Sequence, residues 1–163
     1  MTTLNLGVVV QPYRHEGYRR AGRRRGRNVK AAKVSSLTTF DVARILESKY
    51  HIMRHFYEHH AEEILKELQD SYHRATESML MTNIFIDPSV KGIENIRKMF
   101  NRFIDEREVE NIGIPGVPTM AALHGVSHRF DMPYAGRTRK KGMRRSSFYD
   151  TGLYENSFRA WID

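Results

Sequence analysis

TTFDVARILESKYHIMRHFYEHHAEEILKELQDSYHRATESMLM, Thr38 to Met81, runs 44 residues without a glycine or a proline. Apolar side chains recur at Val42, Ile45, Leu46, Met53, Phe56, Ile64, Leu68, Tyr72, Ala75 and Met79. That spacing predicts one face of a helix. Thr38 or Thr39 is placed to cap it, with Asp41 in the first turn. Unbroken, such a helix measures ~60 Å at 1.5 Å per residue, too long for a small domain, so a break is expected near Lys49–Ile52.

Working outward, DPSVKGIENIRKMFNRFIDERE (87–108) predicts a second helix. Ile93, Ile96, Phe100, Phe103 and Ile104 form its inner face, and Asp87 or Ser89 its cap. NIGIPGVPT (111–119) is a Gly/Pro loop in which Pro115-Gly116 suits the centre of a type II turn. TMAALHG predicts a single helical turn closed by Gly125. On the N-terminal side, TTLNLGVVVQP predicts one short strand ended by Pro12. The terminal SSFYDTGLYENSFRAWID fits either a helical face through Leu153, Tyr154, Phe158, Trp161 and Ile162 or an alternating strand through Tyr154, Phe158, Ala160 and Ile162.

These elements imply a helix-dominated α+β chain. One compact body is expected over 37–163, preceded by an extended arm over 1–36. The inner faces of the two helices, joined by the aromatic C-terminal segment, are expected to build the core, with Phe148, Tyr149, Phe158 and Trp161 the candidates for burial there or at an interface. A chain of 163 residues is long enough to bury one.

Charge divides the chain in the same place. Residues 1–36 carry nine Lys/Arg against Glu16, while the remainder holds 18 basic and 18 acidic residues, so the net +8 belongs to the arm. Between Tyr13 and Ser36 there is no apolar periodicity, and such a segment gains too little burial to offset its ordering entropy. Arg19, Arg20, Arg23, Arg24, Arg25 and Arg27 suit phosphate backbones or an acidic groove on a neighbouring protein. The strand-like Leu4–Val10 is suited to adding onto a neighbour's sheet edge.

Cysteine is absent, which removes disulfides and thiol chemistry. The longest strictly apolar run is Val8–Val10, far short of the roughly 20 residues of a membrane span, and no secretory signal is evident. His51, His55 and His59 share a helix face with His60 and Glu63 nearby, but no third ligand and no HExxH order accompany them, so they read as solvated polar groups. Asp150-Thr151-Gly152 matches the triplet of aspartic proteases, yet only eleven residues follow it. The dull reading is a turn, with Asp150 bonding forward and Gly152 at positive φ. No phosphate loop or nucleophile elbow is present. The expectation is a non-enzymatic chain without cofactor or metal.

One resemblance adds to this. In residues 113–161, about 50 of the 163, a basic segment (Arg137, Arg139, Lys140, Lys141, Arg144, Arg145) precedes Asp150-Thr151-Gly152. Leu153 and then Ser157-Phe158 follow. This arrangement resembles the virion-morphogenesis and tail-completion families of tailed bacteriophages. The resemblance implies a structural virion protein at the head–tail junction, a neck or connector subunit. Such a subunit is assembled in the host cytoplasm as a homo-oligomeric ring through its arm and C-terminal segment. It contacts other virion proteins and packaged DNA, and no membrane. The rival expectation is a freestanding, non-specific nucleic-acid-binding protein that uses the arginine arm.

Overall fold

A computed structural model of the chain describes residues 3–12, 38–84, 87–125, 143–149 and 152–163. In chain order the elements are strand β1 (Leu4–Val8), helices α1 (Thr39–Tyr50), α2 (Ile52–Thr82), α3 (Pro88–Asp105), α4 (Glu108–Asn111), α5 (Met120–Leu123) and α6 (Leu153–Ser157), and strand β2 (Phe158–Ile162). The fold is helix-dominated α+β.

Local chemistry sets the helix ends. The Thr38 hydroxyl accepts from the Asp41 N–H at 3.2 Å and the Asp41 carboxylate accepts from the Thr38 N–H at 2.8 Å, a reciprocal capping box. The expected break falls at His51, which takes φ 50° and closes α1 by donating its N–H to Glu47 O. His51 supplies no side-chain cap for α2. Glu47, one turn back, does so instead: its carboxylate accepts from Met53 N–H at 2.9 Å and Arg54 N–H at 3.3 Å. Asp87 caps α3 by accepting from Ser89 N–H at 2.9 Å, with Pro88 in the first turn where its missing N–H costs nothing.

Helices α2 and α3 form a hairpin. At Gly92 their backbones come close, and a Cβ there would meet Leu68 Cδ2 and Ser71 Cβ at 3.3 Å. The centre of the core is four phenylalanines. Phe100 of α3 stacks on Phe158 of β2 with centroids 3.9 Å apart and 11° between planes, and Phe56 of α2 meets Phe100 edge-on at 5.2 Å. Phe103 closes the group at 5.6 Å from Phe56. Ile52, Ile64, Ile96, Ile104 and Val109 surround them, all fully buried.

The predicted C-terminal segment is both of the alternatives in succession, helical through Ser157 and extended from Phe158. Pro115-Gly116 forms its turn, with Gly116 at φ 78°, and Met120–Leu123 its single helical turn.

Three expectations need correction. First, β1 pairs in antiparallel fashion with the chain's own β2, from Leu4↔Ile162 to Val8↔Phe158, so one of its two edges is already taken within the chain. Leu4, Leu6 and Val8 pack on the core, so the body begins near residue 3 and not at 37. Second, Ile45, Tyr72 and Met79 were expected on the inner face but are about half exposed, at 54%, 45% and 54%. Ile45 lies on α1; for the other two, α2 outruns what packs on it, and α3 meets it through Leu68 and Ser71. Third, of the four C-terminal aromatics expected in the core or at an interface, the core takes only Phe158 completely. Phe148 is partly buried against the core, while Tyr149 and Trp161 keep 39% and 43% of their surface.

Candidate functional site

The expected contact residues Arg19, Arg20, Arg23, Arg24, Arg25 and Arg27 lie outside the described residues, but the attachment of their segment does not. Gln11 N–H donates to Thr39 Oγ1 at 2.9 Å, Thr39 N–H donates to Gln11 O at 2.8 Å, and Pro12 bridges to Thr38. The Thr39 hydroxyl, buried, also donates to Val9 O at 2.5 Å. The residues that flank 13–37 on either side therefore meet. The basic part of what was read from sequence as an N-terminal arm is thus bounded on both sides by residues fixed to the body at adjoining points.

The second basic stretch is held in the same way. Arg137, Arg139, Lys140 and Lys141 lie outside the described residues, whereas the chain after them is anchored. Arg145 N–H donates to Ala122 O at 3.1 Å, beside the Gly125 end of the stretch. Glu110 organises the anchor. One carboxylate oxygen accepts from Ser147 N–H at 2.9 Å and Ser147 Oγ at 2.7 Å, the other from Arg144 Nη2 at 2.7 Å. Burial pushes the Glu110 carboxyl up, but the bonds from Ser147 and Arg144 outweigh it and hold the group below the ordinary value. The Arg145 guanidinium donates to Tyr149 O, and Ser146 Oγ to Ile104 O. Two of the expected contact residues, Arg144 and Arg145, therefore fasten the stretch to the body.

The two attachment points stand at opposite ends of α1. Thr38 begins that helix, and Tyr50 at its end packs on Phe148 with centroids 5.0 Å apart. A twelve-residue helix separates them by ~18 Å. Residues 13–37 and 126–142 hold 14 of the 27 basic residues and only two of the 19 acidic ones, while the described residues hold 13 basic and 16 acidic. The described residues are thus mildly acidic and the stretches 13–37 and 126–142 strongly cationic.

Of the expected turn, Asp150 and Thr151 lie outside the described residues. Gly152 takes φ 69°, and a Cβ on it would lie 3.0 Å from Asn156 Nδ2. It opens α6, where Tyr154 and Glu155 are both buried. Burial, with the Glu47 carboxylate, pushes the Tyr154 phenol far up. Burial first, then the Asp105 carboxyl beside it, push Glu155 up to about 7.

The histidines have separate settings. His51 is the helix break, His55 faces Glu58 at 3.6 Å, and His59 Nδ1 lies 3.0 Å from His55 O. His60 bridges Glu63 at 3.2 Å and Glu108 at 3.0 Å, against the rings of Phe56 and Phe103. Among the described residues, no three His, Cys, Asp or Glu side chains converge as a metal site would require, and no helix is long and apolar enough to cross a membrane.

Glu47, Glu110 and Glu155 had no distinguishing signal in sequence. Each acts on a partner placed by folding, in the case of Glu110 one 37 residues away. Comparison with protein-family models, curated proteins and solved structures finds no match for this chain.

Proposed function

We propose that this chain is a non-enzymatic structural subunit of a tailed-phage virion, placed at the head–tail junction and assembled with copies of itself and other virion proteins. What supports the reading is the run from Arg137 to Phe158 that resembles the tail-completion families, together with the way the body holds it. Arg144 and Ser147 fasten to Glu110, Gly152 turns the chain, and Phe158 ends the run inside the core. A segment built to be carried on a rigid platform suits assembly contacts. In this reading the two cationic stretches are the parts that meet neighbouring subunits or packaged DNA. Mass spectrometry of purified particles is the direct test. A fixed multiple of copies per particle is expected, and absence from the particles overturns the proposal.

The charge segregation favours a second reading, non-specific binding of nucleic acid by a freestanding protein. That reading requires DNA affinity to fall on the order of 10³-fold between 50 and 200 mM salt for ~six phosphate contacts. It also requires binding to survive without any virion partner.

A further inference from the structure

Among the described residues, no strand pairs with the outer edge of β1. Thr3 N–H donates to Asp163 O at 2.9 Å and Asp163 N–H to Thr3 O at 3.0 Å, while Val9 N–H donates to Ser157 O at 2.7 Å. With the register Leu4↔Ile162 through Val8↔Phe158, the odd-numbered residues aim their main chain at β2. In an antiparallel ladder the alternate residues aim theirs the other way. The N–H and C=O groups of Leu4, Leu6 and Val8 therefore point outward, and among the described residues none has a backbone partner on that side.

The strand's own sequence supplies none of the devices that blunt an edge. Leu4–Val8 reads LNLGV, with no charge and no proline, the devices by which exposed edges avoid pairing. A lone pair of strands is marginal and gains from a third. A platform for that strand exists. The far end of the Trp161 indole lies over β1, where a Cβ on Gly7 would meet its Cη2 and Cζ3 at 3.0 Å, and the residue remains 43% exposed.

We propose that the occupant is β1 of a second copy, paired antiparallel about Leu6, so that two sheets join into one of four strands. Leu6 then faces Leu6 of the second copy and Leu4 faces Val8, with two main-chain bonds at each of these three facing positions. Charge selects the antiparallel sense. The arginine-rich segment starts after Pro12, six positions beyond Leu6. A dyad at Leu6 sets the two starting points ~40 Å apart at 3.3 Å per residue, several times the ~8 Å screening length of physiological salt. Parallel pairing sets two segments of net +8 side by side. The contact is isologous and makes pairs. It stands independently of the virion reading, since it needs only the purified chain.

The test combines sedimentation equilibrium of the full-length, nucleic-acid-free chain with residue-resolved amide exchange over the same concentration range. The mass is expected to rise from 19.1 kDa to twice that value. The amides of Leu4, Leu6 and Val8 gain protection in step with it, while those of Asn5 and Gly7 are protected throughout. Leu6→Pro removes an outward N–H that the sheet itself does not use, and is expected to stay at 19.1 kDa with an unchanged circular dichroism spectrum. Should that variant fail to fold, the exchange data decide alone. A mass of 19.1 kDa at every concentration overturns the proposal. So does a dimer in which the Leu6 amide exchanges freely, or a Leu6 amide protected in the monomer.

Discussion

Glu155 is a carboxyl that folding places where water does not reach its second oxygen, which has no hydrogen-bond partner. Its proton is held up to about 7 by burial and by Asp105, whereas in the unfolded chain it leaves near ~4.3. Between those values the native state binds a proton that the unfolded state lacks, so stability falls as pH rises through the window. The melting temperature is expected to drop from pH 5 to pH 8. Glu155→Gln, neutral at all pH, is expected to flatten that drop and to melt higher than the parent at pH 8. An unchanged slope in thermal melts refutes the assignment. Phe100 makes a second prediction at this scale. Its ring stacks on Phe158 and meets Phe56, so Phe100→Ala is expected to cost ~3–5 kcal/mol in urea unfolding. That Phe100 faces inward was legible from its spacing with Ile93, Ile96 and Phe103. That it stacks on a residue 58 positions later was not, because ring geometry follows from how strand and helix dock.

At the scale of elements, the break between α1 and α2 was legible because a helix from Thr38 to Met81 would overrun any core this chain can build. Its position at His51 depended on a backbone turn that histidine does not favour. The residue sits at φ 50°, a conformation costing an L-residue ~1–2 kcal/mol. The cost is offset locally, since the turn lets Glu47 cap the next helix. His51→Gly is expected to stabilise the chain by about 1 kcal/mol while keeping the Glu47 bonds. A loss of stability in the same unfolding measurement means that the imidazole contributes something the helix break does not explain. The long helix also shows where periodicity stops being informative. Leu68 and Tyr72 both fit an apolar face, yet Leu68 packs under α3 and Tyr72 is 45% exposed. Hydrophobic spacing identifies a stripe but not which flank of it the neighbouring helix covers.

For the whole molecule, the decisive feature is that Gln11, Pro12, Thr38 and Thr39 meet. A short linker is therefore long enough to join the two points between which residues 13–37 run. Replacing them with a short Gly/Ser linker is expected to leave the thermal melt within a few degrees of the parent. The same replacement removes nine basic residues and Glu16, taking the formal charge from +8 to zero. The salt needed to elute the chain from heparin is expected to fall sharply. Collapse of the melt assigns the segment a structural role. Full retention on heparin assigns binding to the stretch around 126–142.

Composition and spacing by themselves determined that the chain is helix-dominated, where its helices start, that its charge is segregated, and that its arginines have nothing to bury. These are properties of neighbours in sequence, governed by capping, periodicity and entropy over a few residues. Tertiary structure alone decided that the first strand belongs to the last, that the arginine-rich stretch is tied at both ends, and that Glu110 and Glu155 carry weight. Each of those joins residues far apart in the chain, and only packing settles which of many compatible partners a strand edge or a carboxylate meets.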